Sequence, residues 1–137
     1  MAASSESVDY SKEGGQFHEK GEFWWWTWKD TSGFYHRSGG KPAFIGYNGT
    51  QEWYEHGQLH NEEGPSIVDS DGTYAYHFRG MHHNLKGPAL YNAYTDTTLY
   101  YIMGRKYKTK EDFEMARDAY CKEHNIPIPK EDESRDP

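Results

Sequence analysis

The sequence predicts a mainly β protein: an antiparallel meander of stacked β-hairpin repeats about 23 residues long, closed by a C-terminal capping α-helix. Three observations predict it. Twelve Tyr, five Trp and six Phe outnumber the eleven Leu, Ile and Val, and large rings with a polar edge suit twisted sheets better than helix bundles. Pro42, Pro65 and Pro88 stand 23 residues apart, as do Asn48-Gly49-Thr50 and Asp71-Gly72-Thr73, which is the mark of an internal repeat. Near Tyr107 the pattern switches to helical spacing.

Taken in order, residues 1–20 are polar and rich in Ser, Glu and Gly, and read as a mobile N-terminal arm. The repeat domain spans 21–107. It opens with Phe23-Trp24-Trp25-Trp26-Thr27-Trp28, a strand whose alternation puts Trp24, Trp26 and Trp28 on one face and Phe23 and Trp25 on the other. Two units are clear: Gly57-Gln58-Leu59-His60-Asn61-Glu62-Glu63-Gly64-Pro65-Ser66-Ile67 and Gly80-Met81-His82-His83-Asn84-Leu85-Lys86-Gly87-Pro88-Ala89-Leu90. An earlier one, Tyr35-His36 to Pro42-Ala43-Phe44, is degenerate. Asn48-Gly49 and Asp71-Gly72 predict type I′ turns, in which both central residues take positive φ. A short strand follows each, then a second glycine turn at Gly57, Gly80 or Gly104. A Pro then opens the next strand, where its missing N–H is tolerated.

Residues 108–125 predict the capping helix. Thr109 is placed to cap it, with an acid at Asp112. Phe113, Ala116 and Tyr120, with Met115 and Ala119 alongside, form its apolar side, and Asn125 and Ile126-Pro127-Ile128-Pro129 end it. Residues 126–137 form a charged tail.

Composition bounds the function. The length of 137 residues fits one domain. A net charge of −7 without a basic stripe argues against direct nucleic-acid binding. Protonating all eight His would carry the charge from −7 to +1, so charge-driven binding should change between about pH 7 and pH 5. The single Cys121 fits a reducing compartment. No stretch approaches the roughly 18 apolar residues of a membrane span, and the first twenty residues lack an apolar signal region. A soluble cytoplasmic protein is expected.

The run Trp53-Tyr54-Glu55-His56-Gly57, followed by Leu59-His60-Asn61-Glu62-Glu63-Gly64-Pro65-Ser66, resembles the MORN-like hairpin repeats of many tailed-phage and giant-virus proteins. The resemblance covers about residues 33–120, including the aromatic last hairpin and the helix after it. Lys41 replaces the usual Gly before Pro42, and His56, Arg79 and Met103 stand where Asn is common. The resemblance implies the hairpin fold, a viral accessory role and a platform for binding other proteins, with no associated reaction.

The candidate sites each carry a bland alternative. Trp24, Trp26, Trp28, Trp53, Tyr54 and Tyr76, with Glu62 and Glu63, could present an aromatic and acidic face to a partner. The Trp residues could equally be the core of a chain short of aliphatics, and that reading is favoured for them. His60, His82 and His83 are the alternative metal set, since zinc-assisted hydrolysis needs converging imidazoles and a carboxylate. Yet His60 and His83 occupy equivalent repeat positions, where a structural bond to a turn carbonyl is the favoured role. Cys121 is expected to be buried and inert. The expected function is therefore a non-enzymatic protein-interaction module without a cofactor, binding a host protein and possessing sheet edges through which copies could associate. A metal-assisted hydrolase, or a glycan- or nucleotide-binding module built on the Trp cluster, are the alternatives.

Overall fold

Residues 8–130 are described in the structure, a computed structural model. After a 3-10 turn at Tyr10–Glu13 come β1 (Gln16–Lys20), β2 (Phe23–Thr27), β3 (Phe44–Gly46), β4 (Gln51–Glu52), β5 (Tyr54–Glu55), β6 (Gln58–Leu59) and β7 (Ile67–Val68). Then follow β8 (Tyr74–Ala75), β9 (His77–Phe78), β10 (Met81–His82), β11 (Leu90–Asn92), β12 (Thr97–Ile102), β13 (Arg105–Tyr107) and the helix α1 (Lys110–Glu123). Nine strands form one antiparallel sheet in the order β1-β2-β3-β4-β7-β8-β11-β12-β13, while β5-β6 and β9-β10 make separate two-stranded ladders. The hairpin meander and its C-terminal helix match the fold class predicted from the sequence.

In two units the long strand is interrupted once. Trp53 divides β4 from β5 and Tyr76 divides β8 from β9, whereas β12 runs through unbroken. At each interruption the chain changes partners. The Trp53 N–H donates to Ser66 O at 2.8 Å, and its carbonyl accepts from the His60 N–H at 3.0 Å. Tyr76 repeats the pattern with Ala89 and His83, and Trp28 repeats it with Ala43 and His36. Trp28, Trp53 and Tyr76 are thus one structural position, and Ala43, Ser66 and Ala89 another. The second set is 0% exposed throughout, which restricts it to small side chains.

The turns differ from the expectation. At Asn48-Gly49 and Asp71-Gly72 only the glycines have positive φ, 93° and 95°. The Gly49 N–H donates to Gly46 O and the Gly72 N–H to Asp69 O, the pattern of a three-residue loop with a type I turn ahead of a left-handed glycine. Asn48 and Asp71 act through their side chains, which accept from the N–H groups of Thr50 and Thr73. The type I′ geometry falls instead on His56-Gly57, Arg79-Gly80 and Met103-Gly104, where φ is positive at both residues. Dipeptide chemistry points elsewhere because Asn-Gly and Asp-Gly are the favoured type I′ pairs, and Arg and Met rarely take that conformation.

The N-terminal expectation is corrected too. Residues 1–7 of the arm read over 1–20 lie outside the described residues, but its second half is folded and supplies β1. That strand pairs along its whole length with β2. Tyr10 packs edge-on against Trp26 and Trp28 at 5.6 and 5.3 Å. The apolar surface that orders this polar segment is carried by its partner strand, so its own composition conceals it. Of the charged tail, residues 131–137 lie outside the described residues.

An aromatic core cluster sits at this end of the sheet, while Ala75, Ala89, Ile102, Phe113 and Cys121 are buried further along it. Trp26, Trp28 and Ala43 are the cluster's buried centre, with Tyr10, Trp24, Tyr35, Ile45 and Tyr54 packed around them. At the other end α1 packs on β12 and β13. Thr109 caps it by accepting from the Asp112 N–H at 3.0 Å. The buried row is Phe113, Arg117 and Cys121, while Met115 and Ala119 are exposed. The predicted apolar side was therefore rotated. A polar symbol at 117 hides a guanidinium that donates to Leu85 O at 3.0 Å and to Asp118 at 2.7 Å, and so is buried with its hydrogen bonds made.

Candidate functional site

The repeat leaves a cleft between its first two loops, residues 36–41 on one side and 60–63 on the other, with Trp53, Tyr54 and Glu55 as the floor. Its volume is about 330 Å³. The strand interruption at residue 53 sets the position of Trp53 between the loops. Its indole Nε1–H donates to Gly40 O at 3.0 Å, so the ring also holds the first loop. The second loop is braced by Asn61, whose amide donates to Pro65 O at 2.8 Å while its Oδ1 accepts from the Glu63 N–H. Asn84 does the same for Pro88 and Lys86. In the first loop Arg37 takes over this task and donates to Pro42 O.

The charges around the cleft are unequally engaged. Arg37 lies 3.8 Å from the Trp28 ring and 2.6 Å from a Glu13 oxygen, and Lys41 is 3.7 Å from the same oxygen. Burial pushes the Arg37 guanidinium down from its usual range, and the nearby Glu13 opposes that shift. Glu62 accepts from His60 Nε2 at 3.2 Å. Glu55 and Glu63 project into solvent. The Tyr54 hydroxyl donates to Glu52 at 2.9 Å, and burial, followed by that carboxylate, pushes its pKa well up. What the cleft offers a visitor is an indole, a phenol and outward carboxylates.

Four predicted partner-binding residues, Trp53, Tyr54, Glu62 and Glu63, therefore meet at one place. The other four do not join them. Trp26 and Trp28 are core residues, 7% and 5% exposed; Trp24 packs beside them. Tyr76 holds the position equivalent to Trp53 in the next unit. A separate aromatic patch, not singled out from the sequence, lies at the β1–β2 end: Phe23 and Tyr47 are about half exposed and their rings meet at 5.1 Å.

The histidines are arranged differently from the metal alternative. Among the described residues no group of three or more His, Cys, Asp or Glu side chains is placed to hold a metal ion. His60 Nδ1 accepts from the Arg79 N–H at 3.0 Å, and His83 Nδ1 accepts from the Met103 N–H at 2.9 Å. The bond is to a turn amide, not to the turn carbonyl expected from the sequence. The sequence reading also missed a third member: His36 Nδ1 accepts from the His56 N–H at 3.1 Å. The signal was present, because His36, His60 and His83 are spaced by 24 and 23 residues. An amide nitrogen can only donate, so each Nδ1 is unprotonated and a neutral ring carries its proton on Nε2.

One pair has the residue types of a nucleophile and its base. Ser66 Oγ and His77 Nδ1 are 2.6 Å apart. Ser66, however, is 0% exposed and takes the place held by Ala43 and Ala89, so no substrate reaches it. His77 pairs across the ladder with His82, with ring centroids 4.3 Å apart. Burial, and then the neighbouring His82, push the His77 pKa down to about 4. Comparison with models of protein families, with curated proteins and with solved structures finds no match for this chain.

Proposed function

We propose that the chain is a non-enzymatic protein-interaction module that receives a side chain or short loop of its partner in the cleft over Trp53. The convergence of Trp53, Tyr54, Glu62 and Glu63 on one opening carries this reading. Indole and phenol rings supply large contact areas with little entropy to lose. The basic side chains at the rim already face Glu13, so the charge left for a partner is negative and favours a basic contact. The resemblance to MORN-like repeats adds the setting: a viral accessory protein in the host cytoplasm that inhibits a host enzyme or defence component by occupancy. The outer edge of β1 is where copies would pair, although Glu19 and Lys20 blunt it.

The test is capture from a lysate of the cells in which the chain is made, comparing the native chain with Trp53→Ala and with Glu62→Lys/Glu63→Lys. A stoichiometric partner lost from the charge-reversed chain, with its melting curve unchanged, supports the proposal. A partner retained by both variants places the binding face elsewhere.

A further inference from the structure

The same two bonds hold the three tight turns at His56-Gly57, Arg79-Gly80 and Met103-Gly104 to the chain one unit earlier. At His56-Gly57 the glycine N–H donates to Tyr35 O at 2.8 Å and the His56 N–H to His36 Nδ1. At Arg79-Gly80 the partners are Leu59 O and His60 Nδ1. At Met103-Gly104 they are His82 O and His83 Nδ1. Each turn is thus clamped by a carbonyl and by the imidazole that follows it in sequence. The clamped residue holds φ between 47° and 49°, a left-handed conformation that costs roughly 1–2 kcal/mol outside Gly, Asn and Asp. The imidazole bond helps to hold it there.

We propose that His36, His60 and His83 form an acid-sensitive set of clamps between consecutive hairpin units. A proton added at Nδ1 converts the acceptor into a donor that points at another donor, and the turn amide is released. Imidazole is the side chain whose ordinary pKa allows this near neutrality. Each clamp is therefore intact while its Nδ1 is unprotonated and opens when acid adds a proton there.

The groups facing each ring are few. His36 is stacked on His56 at 3.9 Å, and His56 Nδ1–H in turn donates to Asp30 at 2.8 Å. His60 faces Glu62 through Nε2 and packs against Phe78, over which the Arg79 guanidinium lies. His83 packs near Phe78 and Tyr120 of α1, and Tyr120 in turn packs against His124 at 4.2 Å. Burial lowers the His83 pKa, the direction required of a ring whose neutral form is bound. His36 and His60 also line the cleft, so opening their clamps would disturb it. That last consequence rests on the proposed binding role, whereas the clamps themselves do not.

Nitrogen-15 NMR of the imidazoles, recorded with the backbone amides from about pH 8 to pH 5, tests the proposal on the intact chain. At the upper end the three rings should be Nε2–H tautomers. On acidification the amides of His56, Arg79 and Met103 should shift in step with protonation of their own imidazoles. His60→Asn places an acceptor that does not protonate near the Nδ1 position and should remove the pH response of the Arg79 amide alone. If that variant fails to fold, His83→Asn gives the same test at Met103. Turn amides that stay fixed while the rings protonate, or an unchanged response in the Asn variant, would overturn the clamps. Loss of partner capture is read separately, so failure of the binding role leaves this result interpretable.

Discussion

At the scale of single residues, position dictates side-chain size and charge state more strictly than composition suggests. A Cβ on Gly15 would lie 2.9 Å from the Trp28 ring and 3.0 Å from Trp26. Gly15→Ala should therefore cost about 1–3 kcal/mol by overpacking, read as a lower denaturant midpoint at unchanged slope. Arg79 sits exposed at φ 49°, and Arg79→Asn should stabilise the fold by about 0.5–1 kcal/mol, read as a higher denaturant midpoint, because Asn accepts that conformation more readily. His77 supplies a pH dependence. Its folded pKa of about 4 lies below the ordinary value of 6.5, so between those values the unfolded chain binds more protons. Its stabilising contribution is complete above pH 6.5 and is lost as pH falls toward 4. At pH 5 the loss from this residue is about 1–2 kcal/mol. Melting curves of His77→Tyr, which restores the residue type of Tyr54 and Tyr101, should show a weaker fall in acid than the native chain.

At the scale of elements, the interval of 23 residues made the hairpins legible, and the Thr109 cap made the helix start legible. What escaped depended on neighbours. The strand Gln16–Lys20 is polar and owes its order to β2 and Tyr10, a relation no local pattern displays. The type I′ turns were assigned to the wrong dipeptides because the imidazoles that support His56, Arg79 and Met103 lie about 20 residues upstream. The helix face was rotated because Arg117 pairs with a carbonyl 32 positions earlier. The observed face makes a clear prediction. Phe113→Ala should cost about 3–5 kcal/mol, while Met115→Ala, at a 73% exposed site, should change stability by less than about 0.5 kcal/mol. Equal effects in chemical denaturation would contradict the placement of α1.

At the scale of the whole molecule, one repeated device both builds the sheet and shapes the candidate site. The loops that end each unit project where the strands are interrupted, and the cleft lies between the first two of them. Trp53, Tyr54, Glu62 and Glu63 converge there because they belong to one repeat, a relation the interval of 23 residues displays. Trp26 and Trp28 went to the core, as a chain with eleven aliphatic Leu, Ile and Val residues requires. The exposed rings of Phe23 and Tyr47 provide the natural comparison surface, since they lie on another part of the sheet. The most direct measurement is therefore quantitative partner capture by two variants side by side, Glu62→Lys/Glu63→Lys and Phe23→Ser/Tyr47→Ser, each confirmed to melt like the native chain. Charge reversal at the cleft should abolish capture, and the change at the β1–β2 end should leave it intact. Capture that survives the first variant and is lost with the second would contradict the assignment of the cleft.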